Sequence, residues 1–221
     1  MTPTRVFTNW QNVINIALEN QKPVVLYGVT WDDYKNLHNT LGNDFSGLRT
    51  YFSKGVLEII PSSQHEFYAD FVKKMLTIIE MRLRKPIAFF GSATIESDKF
   101  QKGAEPDASF FVSRAKLVSG KIKFNIAEIP PDIVVEIDVF NTDFSKFEIY
   151  AAFDVKEFWR YDEKELTIFR LENGEYEQVE RSVELPVLSA GILTEYLKRS
   201  QTQDQFDVLN DFETWLLTEN K

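Results

Sequence analysis

The sequence contains no cysteine and only two histidines, His38 and His65. Disulfide bonds, zinc–thiolate sites, cysteine nucleophiles and histidine-rich metal sites are therefore excluded. No apolar run approaches the roughly 20 residues that a membrane helix needs. Residues 1–21 also lack the basic start and apolar core of a signal peptide. These absences predict a cytoplasmic protein that does not associate with a membrane.

The chain also lacks internal repeats, low-complexity tracts and a linker rich in proline and glycine. Hydrophobic residues make up 43% of its 221 residues, and 19 of them are phenylalanine, which is enough for a sizeable aromatic core. A chain of this length can form one large domain. We therefore predict a single domain over residues 1–221 with helical extensions at both ends.

The charge is unevenly distributed along the chain. A net charge of −9 argues by itself against nucleic acid as a partner. Residues 73–123, however, hold 11 Lys/Arg against 5 Asp/Glu, a net of +6, whereas residues 124–221 hold 9 against 22, a net of −13. The basic stretch is either one functional face or ordinary solvated charge, and the sequence leaves both open.

Hydrophobic periodicity predicts an α/β fold in which helices pack on a sheet. A hairpin turn is expected at Lys54-Gly55, and Ser63 with Glu66 forms a capping box before a long helix. The predicted helices are 8–20, 30–41, 63–84, 143–153, 189–199 and 207–217. The predicted strands are 48–53, 56–60, 87–90, 107–112, 122–126, 132–139, 157–161, 166–171 and 176–179.

The clearest strand, residues 132–139, carries two acids on one face. Alternation places Ile133, Val135 and Ile137 on one side, and Glu136 and Asp138 on the other. Two buried acids repel each other and lose solvation unless a cation or hydrogen-bond donors compensate. A divalent metal would do so. The alternative is an exposed edge strand with solvated acids, or acids paired with arginine.

Two further residues are candidates for the same site. Asp107 stands directly before an apolar strand, where it can reach acids of a neighbouring strand, although Pro106-Asp107 is also ordinary turn chemistry. Lys146 shares helical spacing with Ile149 and Tyr150, so it lies on an apolar stripe. It either extends outward to solvent or points into a site that binds an anion.

In its order of motifs the chain resembles the Uma-type putative restriction endonuclease family of the PD-(D/E)XK nuclease superfamily. Each motif alone is weak, but the ordered set is fairly specific and covers most of the chain. The motifs are Gly55-Val56-Leu57-Glu58-Ile59, Pro61, His65-Glu66, Gly103-Ala104-Glu105-Pro106-Asp107, Pro131 to Asp138, Lys146, Ile149-Tyr150-Ala151 and Glu157-Phe158-Trp159-Arg160-Tyr161.

The resemblance implies a restriction-endonuclease-like core, a mixed β-sheet flanked by helices, and metal-dependent hydrolysis of DNA. It maps the PD motif onto Pro106-Asp107 and the (D/E) position onto Glu136. Because carboxylates favour hard cations, we expect Mg²⁺ or Mn²⁺ to bind Asp107, Glu136 and the backbone carbonyl of Ile137. Asp138 stands where the family pattern has its lysine. Lys146 is the relocated candidate for that lysine.

Three neighbouring residues have further expected roles. Asp138 would bind a second ion or position Lys146. Glu66 is a possible metal ligand, because an acid of the first helix often joins such sites, but its capping-box role already explains it. His65 is expected to be a polar residue at the helix start.

Two alternatives from other classes remain, a non-catalytic binding or assembly protein and a phosphoesterase acting on small nucleotides. A homodimer is expected, because twofold symmetry matches duplex DNA. An apolar helix face could dock within the monomer or across the dimer: Phe206, Leu209, Phe212, Trp215 and Leu216. For DNA to bind, basic residues should rim the site: Lys73, Lys74, Arg82, Arg84, Lys85, Lys99, Lys102, Arg114, Lys116, Lys121 and Lys123.

Overall fold

A computed structural model describes residues 9–41, 47–61, 65–91, 93–138 and 146–219, with only the backbone described for residues 40 and 41. The helices are α1 (Trp10–Asn20), α2 (Trp31–Leu41), α3 (His65–Leu83), α4 (Ala115–Val118), α5 (Phe147–Ala152), α6 (Ala190–Ser200) and α7 (Gln205–Glu219). The strands are β1 (Val24–Tyr27), β2 (Leu48–Ser53), β3 (Val56–Pro61), β4 (Ala88–Phe89), β5 (Ile95–Ser97), β6 (Lys102–Ala104), β7 (Ala108–Phe111), β8 (Ile133–Ile137), β9 (Glu157–Tyr161), β10 (Leu166–Glu172) and β11 (Glu175–Val179).

The first sheet is antiparallel and has the strand order β1-β3-β2-β6-β5. Its centre is the predicted hairpin, in which Lys54 and Gly55 both have positive φ, at 51° and 76°. Such a pair suits the tight turn between twisted antiparallel strands. Helices α1 and α2 cover one face, where Leu37 packs with Leu57 and Ile59. The other face is therefore available to the second sheet.

The second sheet has the strand order β11-β10-β9-β8-β7-β4 and is mixed, because β8 and β9 run parallel. Parallel neighbours need a crossover connection, and α5 lies between them in the chain. Helices α3, α6 and α7 cover one face, where Ile133, Val135 and Ile137 of β8 are buried. The α/β class and the mixed sheet with flanking helices are confirmed.

A smaller apolar cluster joins the two sheets. Tyr51 and Ile60 of the first sheet pack with Val134 and Phe158 of the second, and with Tyr150 of α5. Side chains alternate along strands, so the face of β8 that carries Val134 also carries Glu136. The space between the sheets is therefore where the predicted acids lie.

Some predicted elements differ from the structure. Residues 122–126 are not a strand: Phe124 packs against Phe90 and Phe111 from a loop, and Ile122 is 94% exposed. Apolar residues there satisfied the alternation pattern, but Phe124 fills an aromatic cluster instead. Strands β1, β5 and β6 were not predicted, because runs of three or four residues carry little periodic signal.

Other predictions fall wholly or partly on residues that the structure leaves undescribed. These are the start of the predicted helix at residue 8, Ser63 of the capping box with the next residue of its helix, the end of the predicted strand at residue 139, and the start of the predicted helix at residues 143–145. Among the described helices, none is long and apolar enough to cross a membrane. The apolar face of α7 docks within the chain, with Phe212 and Leu216 buried against α3 and α6, whereas Phe206 is 72% exposed.

Candidate active site

Strand pairing brings Asp107 and Glu136 together. Strands β7 and β8 pair with Ala108 opposite Val135, so the residue before β7 lies beside the residue after Val135. Oδ2 of Asp107 accepts a hydrogen bond of 2.8 Å from the backbone N–H of Ile137. Both carboxylates are buried between the sheets, and the charge of Asp107 helps to raise the pKa of Glu136.

Three donors surround the carboxylate of Glu136. Tyr51 donates to Oε2 at 2.7 Å, Lys146 donates to the same oxygen at 2.6 Å, and Tyr150 donates to Oε1. Burial raises the pKa of Glu136, partly offset by the charge of Lys146. The carboxylate is thus satisfied by hydrogen bonds, as a buried charge requires.

Lys146 lies inside the site and does not extend to solvent. It is the N-cap residue of α5, its side chain is 7% exposed, and its Nζ lies 3.8 Å from the centre of the Tyr51 ring. Burial alone would lower the pKa of Lys146, but the charges of Glu136 and Asp107 more than reverse this, so its pKa is raised. Lys146 therefore keeps its proton and acts as a cation.

Asp107 is held by cationic and polar groups as well. His65 Nδ1 lies 3.3 Å from its carboxylate, and Arg49 Nε lies 3.5 Å from Oδ1. Burial alone would raise the pKa of Asp107, but the contact with His65 and the charge of Lys146 outweigh it. The pKa of Asp107 is therefore lowered, and this acid is a carboxylate at neutral pH.

Several site residues were missed by the sequence analysis. Arg49 and Tyr51 lie two apart on β2, and Glu58 is directly opposite Tyr51 on β3. Glu58 is fully buried, and its charge contributes to the raised pKa of Lys146. An acid inside the apolar run of β3 is the same signal that marked Glu136, so Glu58 could have been found. Arg49, Tyr51 and Tyr150 needed the packing of the two sheets.

His65 was expected to be a polar residue at the helix start, but it is buried against Asp107. Its neighbour Glu66 is exposed at the first turn of α3. Adjacent helical residues point in different directions, so only one of the two can face the site. The histidine, and not the acid, takes that place.

Asp138 lies one residue past β8 and pairs with Arg160, whose Nε is 2.8 Å from its Oδ2. For Asp138, the structure therefore agrees with the alternative from the sequence analysis in which an acid of this strand pairs with arginine. The hydrogen bond that positions Lys146 is the one that it donates to Glu136. Within the described residues, no three acidic or histidine side chains are grouped closely enough to bind a metal by themselves.

Several of the basic residues that were expected to rim the site form hydrogen bonds or ion pairs with other parts of the chain. Lys74 donates to Gln205 and Arg82 pairs with Glu213, both on α7, and Lys85 donates to a carbonyl of the C-terminal part. Arg114 pairs with Asp132 near the far end of β7. These four partners all lie in residues 124–221, and the predicted rim is not confirmed for the residues that contact them. The cations at the site are Arg49 and Lys146, with His65 beside them.

A family model matches most of the chain. The family model Uma2, described as "Putative restriction endonuclease", matches residues 31–197. A solved structure of a putative nuclease belonging to DUF820, from Anabaena variabilis, is similar with 16% identity and a TM-score of 0.47. The similarity covers 76% of this chain and 99% of that chain. No curated protein matches the sequence.

Proposed function

The chain belongs to the Uma2 family of putative restriction endonucleases, and from this premise we propose that it is a metal-dependent endonuclease hydrolysing phosphodiester bonds of DNA. The observation that carries the proposal is the meeting of Asp107, Glu136 and Lys146 in one buried site between the sheets. Two carboxylates beside a protonated amine supply both metal ligands and a cation for a phosphate. The family description supports a nuclease, and the ion and substrate are part of the proposal.

Asp107, Glu136 and the carbonyl of Ile137 would bind the ion. Hard oxygen donors suit Mg²⁺ and Mn²⁺, and Mg²⁺ commonly uses one or two carboxylates and completes its shell with water and substrate phosphates. An extended residue points its N–H and C=O to the same side, and the N–H of Ile137 reaches Asp107. The donor set therefore fits. When bound, the ion would polarise the phosphate and lower the pKa of a water molecule.

The other groups hold these ligands and supply positive charge. Burial raises the pKa values of Tyr51 and Tyr150 well above their ordinary range, so both stay protonated and orient Glu136 by donating to it. His65 fixes Asp107. Lys146 is placed to stabilise negative charge that develops at phosphorus, or to orient the attacking water. Asp138 and Glu66 are not ligands in this proposal, since Asp138 pairs with Arg160 and Glu66 is exposed.

A plasmid-cleavage assay with Mg²⁺, Mn²⁺ or EDTA tests the proposal. We expect cleavage with either ion, none in EDTA, and none by Glu136→Gln, a variant that keeps the shape of the side chain. Glu66→Gln is the matched control, because it removes an exposed acid from the adjoining helix and should cleave normally. Single-stranded DNA and a mononucleotide diester are tested in parallel. Turnover of the mononucleotide diester alone would instead indicate a small-nucleotide phosphoesterase.

One observation favours a non-catalytic protein as the second candidate. Lys146, Tyr51 and Tyr150 together engage both oxygens of Glu136, as a purely structural buried carboxylate would also be engaged. Metal-independent DNA binding without cleavage of any of these substrates would support that candidate and contradict the nuclease.

A further inference from the structure

We propose that Arg49 is a phosphate-binding residue of this site, an inference that rests on the proposed DNA substrate. Arg49 lies on β2 with its side chain 9% exposed, and its Nη1 donates to the carbonyl of Leu48 at 3.0 Å. Its Nε is buried and has no hydrogen-bond partner among the described residues. A buried donor without a partner is costly, and such groups are often completed by a ligand.

The contact with Asp107 does not account for the guanidinium. The 3.5 Å between Arg49 Nε and Asp107 Oδ1 is an ion-pair distance but is too long for a good hydrogen bond. Asp107 already accepts the N–H of Ile137 and contacts His65. The guanidinium therefore lies beside the acid, with donor capacity that the acid does not use.

The cationic side chains of the site are slightly more exposed than the acidic ones, which suits the binding of an anion. The side chains of Asp107 and Glu136 are 0% exposed, whereas those of Arg49 and Lys146 are 9% and 7% exposed. The two cationic side chains are thus slightly more accessible than the two carboxylates, which favours their contact with an entering phosphate. The rigid fork of a guanidinium can give two parallel hydrogen bonds to phosphate oxygens, which an ammonium cannot match.

Arg49 could instead be only the counterion of buried Asp107, and salt dependence separates the two roles. A residue that contacts a phosphate contributes about 0.9 to the slope of log K against log salt concentration, whereas an internal counterion contributes nothing. Binding is measured in EDTA, where no metal-dependent step intervenes. The probe is a short fluorescein-labelled duplex.

The variants are Arg49→Met and Arg49→Lys, with Arg170→Met as the matched control. Arg170 pairs with a carboxylate, that of Glu172, in a hairpin strand. We expect Arg49→Met to lower the slope by about 0.9 and to weaken binding about tenfold or more. Arg49→Lys should keep the slope, because the charge remains, yet bind several-fold more weakly because the fork is lost. The control should match the wild type.

Each result decides the matter. Slopes and affinities equal to wild type in both Arg49 variants would overturn the proposal, as would a wild-type protein that does not bind the duplex. If Arg49→Met does not fold, as judged by circular dichroism, Arg49→Lys decides, since a pure counterion role predicts wild-type affinity for it. Wild-type binding without cleavage under any metal would refute the nuclease function alone, while the Arg49 contact is still measured.

Discussion

The Nζ atom of Lys146 lies 2.6 Å from Oε2 of Glu136, and both side chains are almost completely removed from water. The two residues come from different elements, Lys146 from the N-cap of α5 and Glu136 from the C-terminal end of β8. Such a pair is stable only while both partners are present, because a single buried charge costs several kcal/mol. Lys146 is therefore coupled to the acid that the proposed metal would bind.

Replacing Lys146 should separate catalysis from metal binding. In Lys146→Met we expect the cleavage rate to fall by about 10²-fold or more, as for loss of a transition-state donor. Mn²⁺ affinity, measured by titration calorimetry, should not decrease, because the substitution removes a cation from beside Glu136. Without metal the variant should be less stable by about 3–5 kcal/mol, with part of the loss restored by Mn²⁺. Cleavage at the wild-type rate would show that Lys146 is only a counterion.

The two acids should contribute to one metal site. Asp107→Asn and Glu136→Gln should each weaken Mn²⁺ binding in calorimetry, because each removes one of two hard anionic ligands. Glu66→Gln provides the comparison and should bind as the wild type does. The assignment fails if either site variant retains wild-type affinity.

The tyrosine hydroxyls should stabilise the buried carboxylate measurably. Tyr150→Phe removes one donor to Glu136 and should lower the free energy of unfolding by about 1–3 kcal/mol in urea titrations. Tyr176→Phe is a suitable comparison, since Tyr176 donates to the neutral carbonyl of Val155 at 2.7 Å. It should cost about 1 kcal/mol. If Tyr150→Phe lowers the free energy of unfolding no more than Tyr176→Phe does, the Tyr150 hydroxyl does not stabilise the buried carboxylate of Glu136 beyond an ordinary hydrogen bond.

Asp132, outside the candidate site, should govern part of the acid sensitivity. Burial would raise its pKa, but the N–H groups of Arg114 and Val112 and the side chains of Lys156 and Ser113 outweigh this and lower it. A lowered folded-state pKa gives stability that is present above the ordinary pKa of aspartate, about 3.9, and is lost as pH falls through the folded value.

Asp132→Asn should therefore be less stable than the wild type at neutral pH by about 2 kcal/mol or more. The difference should shrink as the pH falls below about 4. Asp154→Asn, an exposed partner of Arg114, should change stability by less than about 1 kcal/mol. Urea titrations across this pH range measure both. If the difference in the free energy of unfolding between wild type and Asp132→Asn does not change with pH, Asp132 does not have the lowered pKa assigned to it.

A homodimer remains a prediction from the symmetry of duplex DNA. Most of the apolar face of α7 is used within the chain, and Phe206 is its exposed member. Light scattering at micromolar concentration should give the mass of a dimer, and Phe206→Ser should shift it toward the monomer if this surface is the interface. A monomeric mass for the wild type would contradict the prediction.

The sequence determined the acids and the strand that carries one of them. Alternation in residues 132–139 placed Glu136 on the face opposite Ile133, Val135 and Ile137, and the ordered motifs identified the family. The hairpin turn at Lys54-Gly55 could also be predicted from the local sequence, because a positive φ at two successive residues is a property of the turn itself.

Only the tertiary structure decided which other groups surround the acids. Arg49, Tyr51, Glu58 and His65 come from the first sheet and the start of α3, distant in sequence from Glu136, and no local periodicity links them to it. The same holds for Asp138, which pairs with Arg160 of the neighbouring strand, and for Arg82 of α3, which pairs with Glu213 of α7. Periodicity fixes the direction of a side chain from its own element, whereas its partners depend on how separate elements pack.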